Sequence, residues 1–96
     1  MYAYCREMPG VTEEMATRVD TEVGGAPVNG LIAHVSGPTQ NGWRIIDVWE
    51  SEADYQRFLV ERLRPALQVV GQDVSPPSQP FDALSVTSVD SLARRG

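Results

Sequence analysis

The chain has 96 residues and a net charge of −5, from 13 acidic and 8 basic side chains. That length suits one domain with a limited core. The acidic balance leaves no basic stripe for phosphates or anionic lipid, which argues against nucleic acid and membrane surfaces as partners. With one cysteine, Cys5, and one histidine, His34, the chain has no intrachain disulfide and none of the usual Cys/His zinc patterns, so no metal site is expected.

Tyr2 to Glu7 reads as a short aromatic strand stopped by Pro9-Gly10. Thr12 is a candidate N-cap for a helix to Val23, with Glu13 and Glu14 in the first turn, where the helix dipole favours negative charge. Val11, Met15, Val19 and Val23 recur every fourth residue and give that helix one apolar face. Gly24-Gly25 ends it.

Leu31 to Ser36 reads as a second strand, and 37–42 is dense in turn residues. Trp43 to Trp49 is the return strand of a hairpin, rich in β-branched and aromatic side chains. Ser51 followed by Asp54 matches a helix-capping pattern, and Tyr55, Phe58, Leu59 and Leu63 form the stripe of the helix it opens. Pro65 bends or restarts that helix, and a short continuation closes at Gly71. Gln72 to Pro80 reads as a loop, Phe81 to Val89 as a last strand, and 91–96 as a C-terminal tail beyond a single domain of 1–90. No apolar run reaches signal-peptide or membrane-span length, so a cytoplasmic location is expected.

The order β-α-β-β-α-β predicts an α+β, ferredoxin-like fold, a four-stranded antiparallel sheet with two helices on one face. If Ser36 pairs with Trp43, one hairpin face holds Leu31, Ala33, Val35, Arg44, Ile46 and Val48. The other holds Ile32, His34, Ser36, Trp43, Ile45, Asp47 and Trp49, and its indoles call for a partner subunit or ligand as cover.

The stretch His34-Val35-Ser36-Gly37-Pro38, followed by Gly42-Trp43-Arg44-Ile45-Ile46-Asp47-Val48-Trp49-Glu50-Ser51, resembles the antibiotic-biosynthesis-monooxygenase-like group of dimeric α+β barrel proteins. The resemblance implies a homodimer whose sheets face each other, and a cavity between each sheet and its helices. It also implies a cofactor-independent activity on an aromatic or polyketide-like small molecule, as a monooxygenase, cyclase or isomerase. The haem-degrading branch uses a first-strand Asn and a Trp and His on the second helix. This chain has no such Asn, carries Phe58 and Gln68 at the helix positions, and has no histidine after His34.

Within that frame His34 is the candidate general base, with Asp47 to orient it. The competing reading is a strand histidine hydrogen-bonded near a dimer seam. Trp43 and Trp49 are candidates to stack on a flat substrate, or else core and interface anchors. Tyr55 and Phe58 belong to the helix stripe and are candidate cavity walls. Arg62, beside that stripe, is a candidate anchor for a substrate carboxylate or phenolate, with snorkelling past the helix edge as the alternative. A non-catalytic dimeric binding or accessory protein of the same fold, and a purely structural assembly module, are the other functional readings.

Overall fold

The computed structural model describes residues 1–87. In order they form β1 (Tyr2–Pro9), α1 (Glu13–Val23), β2 (Leu31–Thr39), β3 (Gly42–Trp49), α2 (Glu52–Phe58), a π-helical turn (Leu59–Leu63), α3 (Arg64–Val70) and β4 (Ser78–Asp82). The strands make one antiparallel sheet in the order β2-β3-β1-β4, so the fold is the ferredoxin-like one.

α1 and α2 each start where a side chain meets a free backbone N–H. Thr12 Oγ1 accepts from Met15 N at 3.2 Å, and Ser51 Oγ accepts from Asp54 N at 3.1 Å. α2, the π turn and α3 run on as one rod through Pro65. Proline has no N–H, and its ring crowds the carbonyl four residues back. The wider turn just before it, in which Arg64 N–H reaches Leu59 O, accommodates the proline without breaking the rod. Gly71, in the left-handed conformation, ends it.

The hairpin pairs Thr39 with Gly42, leaving only Gln40 and Asn41 as the turn. Pro38 therefore lies within β2, which tolerates it as an edge strand. Ser36 pairs with Ile45 and not with Trp43, a shift of two residues that keeps each side chain on its expected face. A bulge between Leu31 and Ala33 is the exception. It turns Leu31 toward the Trp49 side and leaves Ile32 exposed.

The sheet's sidedness differs from expectation. The face with the tryptophans is covered by the chain's own helices, and the face left open carries Val35 and Ile46. The first strand explains this. Tyr2, Tyr4 and Met8 pair with Trp49, Asp47 and Trp43, so β1 adds its bulk to the tryptophan face and only smaller or charged residues, Ala3, Cys5 and Glu7, to the other. The last strand also differs. It occupies Ser78–Asp82, beginning within the expected loop and sharing only Phe81 and Asp82 with the expected strand, with Pro80 tolerated at the sheet edge. Residues 83–87 are not strand, and the expected continuation to Val89 and the tail lie outside the described residues.

The core has two parts. Tyr4, Trp49, Tyr55 and Leu59 form an aromatic cluster between β1, β3 and α2. Tyr4 and Tyr55 ring centroids lie 4.9 Å apart and Trp49 and Phe58 5.3 Å apart, each such pair contributing about 0.5–1.5 kcal/mol beyond area burial. The second cluster, Val19, Ala66 and Leu67, joins α1 to α3. α1 packs chiefly on α3 and the π turn and stands off the sheet, which leaves a gap beneath it.

Candidate functional site

Period-two alternation sends His34 and Ser36 of β2, Trp43, Ile45 and Asp47 of β3, and Tyr4, Arg6 and Met8 of β1 to the helix-covered face. Asp47, on the central of these three strands, pairs with His34 on one side and Tyr4 on the other. The side chains are joined as the backbone places them. His34 Nδ1 lies 2.6 Å from Asp47 Oδ1, Tyr4 O–H donates to Asp47 Oδ2 at 2.8 Å, and Trp49 Nε1–H donates to the Tyr4 hydroxyl oxygen at 3.2 Å.

Asp47 is buried, and a buried carboxylate persists only when hydrogen-bonded. Burial, together with the Asp47 charge, holds the Tyr4 phenol far above its usual ionisation, so Tyr4 stays a donor. The carboxylate only accepts, so the hydrogen between it and His34 sits on Nδ1 and Nε2 is the nitrogen left for a guest. The hydrogen bond to Asp47 raises the His34 pKa above 6.5. Partial burial opposes the shift, and the charges of Asp47 and Asp20 reinforce it.

His34 stands on the wall of a cavity of about 180 Å³ between the sheet and the helices. Ser36, Trp43, Ile45, Met8 and Arg6 continue the sheet side, and Val19, Val23, Phe58, Leu63 and Leu67 close it from the helices. A dry cavity of about 150 Å³ accepts a benzene ring, so this one is of a size for a small aromatic molecule. The wall is mostly apolar with a few convergent polar groups, the usual make-up of a small-molecule site.

Of the residues singled out from the sequence, His34, Trp43 and Phe58 line this cavity, and Asp47 stands behind His34. Trp49 and Tyr55, each 1% exposed, are packed in the aromatic cluster and do not line it. Arg62 is placed elsewhere. Its guanidinium donates to the carbonyls of Val23, Gly24 and Pro27 at 3.0, 3.3 and 3.1 Å, and lies 5.8 Å from the Phe58 ring centroid. There it ties down the end of α1, where a cation suits the helix dipole.

Two residues at the site were not among the catalytic or binding candidates, although Tyr4 reads from the sequence as flanking a pocket or packing. Tyr4 bridges Trp49 and Asp47, and Arg6 lies in the cavity wall with its guanidinium over the Tyr4 and Tyr55 rings, donating to the Tyr55 hydroxyl. A signal for Arg6 was present in the sequence: it shares strand parity with Tyr2, Tyr4 and Met8, and so is a lone charge on an aromatic face.

Among the described residues no group of three or more His, Cys, Asp or Glu is arranged to hold a metal ion, and no helix is long and apolar enough to cross a membrane. Cys5 lies on the open face of the sheet, its thiol pKa pushed up by desolvation and by Glu7. Comparison with protein-family models, with curated proteins and with solved structures gave no match in any of the three.

Proposed function

We propose that this chain is a small cofactor-independent enzyme that removes a proton from an aromatic or polyketide-like molecule held beneath its helices. The supporting observation is the Asp47–His34 pair on the wall of an apolar cavity. His34 Nε2 takes a proton from a carbon next to a carbonyl, or from a phenol. The electron pair of the broken bond passes into the enolate or phenolate. Asp47 holds the ring and stabilises the imidazolium that results. This step is common to isomerisation, to ring-closing condensation and to the opening move of a cofactor-free oxygenation, so the resemblance to the antibiotic-biosynthesis-monooxygenase-like group and the site chemistry agree on it.

The test is deuterium uptake by 2-tetralone, a two-ring ketone with an acidic C–H, followed by NMR in D₂O. Protein-dependent exchange is expected, falling by about 10²–10⁴ in His34→Ala. Exchange that is unchanged in the variant removes His34 from the mechanism. Binding of the ketone with no exchange supports instead a non-catalytic binding protein of this fold.

The active unit in this proposal is a homodimer closed through the open sheet face. Val35 of β2 and its cross-strand partner Ile46 of β3 are 62% and 47% exposed there, and Phe81 of β4 is 61% exposed at the opposite edge of the sheet. Apolar exposure of this kind marks an interaction surface, and added burial suits a domain with so small a core. Light scattering should give twice the chain mass for the wild type and a monomer for Ile46→Lys. A wild-type monomer at micromolar concentration refutes the dimer.

A further inference from the structure

Arg6 is 3% exposed, yet among the described residues it forms no ion pair. Its Nε is buried with no hydrogen-bond partner. The Tyr55 hydroxyl and the faces of Tyr4 and Tyr55 are what the structure offers its charge. Cation–π contacts offset part of the desolvation cost of a buried guanidinium, but five donors with so few acceptors leave it short. The same side chain forms part of the cavity wall.

The charges around the cavity are divided by strand. His34 stands on β2, backed by Asp47 and with Asp20 of α1 acting on it, whereas Arg6 stands on β1, across β3. Two interstrand spacings, roughly 9–10 Å, separate β2 from β1, and His34 lies two residues along from Ser36, the residue level with Arg6, so the two backbones stand about 12 Å apart. Ile45, the cross-strand partner of both Arg6 and Ser36, and Trp43 form the apolar floor between the two ends. The side chains reach inward from both ends, and a one- or two-ring aromatic with an oxygen substituent covers the span between them.

We infer that the cavity selects an anionic one- or two-ring aromatic, its carboxylate or phenolate oxygen held by Arg6 and its far edge turned toward His34. The inference rests on the reading of this cavity as a small-molecule site and supplies the substrate class that the reading leaves open. Arg6, not Arg62, is the anchor. The guest oxygen gives the guanidinium the charged acceptor it lacks, and Arg6 so fixes the guest that its other end meets His34.

The test compares 2-naphthoate with its neutral isostere 2-naphthamide, by calorimetry and by quenching of Trp43 fluorescence. Wild type should bind the carboxylate at least tenfold more tightly. Arg6→Met should bind both equally, and Arg6→Lys should keep part of the preference. Far-UV circular dichroism and thermal melts check that each variant folds, and the lysine variant remains informative if the methionine one does not. Equal wild-type affinity for the two probes, a preference that survives in Arg6→Met, or no binding of either probe overturns the inference. Binding requires no turnover. Loss of the preference in Arg6→Met alongside unchanged 2-tetralone exchange in His34→Ala leaves the anion site standing and removes only the general base.

Discussion

Replacing Asp47 with Asn separates what this carboxylate does for catalysis from what it does for the fold. The wild-type carboxylate accepts from His34 on one oxygen and from Tyr4 on the other. An asparagine has one accepting oxygen and one donating nitrogen. Tyr4 is buried and can only donate here, so the oxygen turns to Tyr4 and the amide nitrogen faces His34. His34 answers by moving its hydrogen to Nε2 and accepting on Nδ1. His34, Tyr4 and the amide each keep a partner, and only the second amide N–H is without one. The fold loses the extra strength of charge-assisted bonds over neutral ones and carries that one unmet donor, together about 2–3 kcal/mol, or a fall of roughly 8–24 °C in Tm for a domain this size. The nitrogen facing the guest, however, has become a donor. The analogous change in a serine-protease triad costs about 10⁴ in turnover through the same tautomer swap. His34 is the chain's only histidine, so nitrogen-15 NMR reads its tautomer without ambiguity. In Asp47→Asn the protonated nitrogen should switch from Nδ1 to Nε2, and the titration midpoint should fall from its raised wild-type position. An unchanged tautomer and midpoint would refute the reasoning outright. A loss of 4 kcal/mol or more would show that the amide is not accommodated as described.

Arg62→Ala should lower stability by about 1–2 kcal/mol in urea denaturation, because three carbonyls at the end of α1 lose their donor, while 2-naphthoate affinity stays unchanged. A tenfold loss of affinity in a folded Arg62→Ala would place Arg62 back in the site. Gly42→Ala should be more damaging, about 2–3 kcal/mol, because the added methyl would stand 2.3 Å from the Met8 carbonyl oxygen and 2.8 Å from Gly10 N, both backbone atoms. The raised pKa of His34 sets the sign of a pH effect: its stabilising contribution is complete below about pH 6.5 and is lost as pH rises through the higher folded value. Stability measured from pH 5 to 9 should show that loss in the wild type and not in His34→Gln. Turnover by the neutral base should rise over the same alkaline interval.

The fold was legible from the sequence where local signals were strong. The capping residues Thr12 and Ser51 lie where they were expected, and so do the two strands of the hairpin, though its turn is Gln40-Asn41 alone and not the whole of 37–42. His34 and Asp47 were placed on one face from a register two residues out, because a shift of two preserves strand parity. Sidedness was less legible. Both hairpin faces are apolar, and the choice between them is made by β1, whose Tyr2, Tyr4 and Met8 add their volume from another part of the chain. β4 was obscured because its pairing to β1 is interrupted at Gln79 and Pro80, between the Ser78 and Phe81 pairs, and Ser78 and Pro80 signal a turn when read without a partner strand. The difference between the two arginines is likewise tertiary. Beside a helix stripe Arg62 reads as awkward, but the end of α1 comes to meet it, while Arg6 is isolated only once Tyr55 and the helices close over it.

The π turn at Leu59–Leu63 also acts on everything after it. An extra residue in a helical turn advances the phase of the following screw by about 100°, one residue's share of a 3.6-residue turn. Upstream of it the rod directs Tyr55 at the sheet, and downstream it directs Ala66 and Leu67 sideways into α1. One continuous rod thereby serves two neighbours lying in different directions, and the hollow between them follows from that offset. Excising a single residue such as Val60 would remove that offset, swing the α3 contacts out of line with α1, and set the Pro65 ring against the carbonyl four residues back.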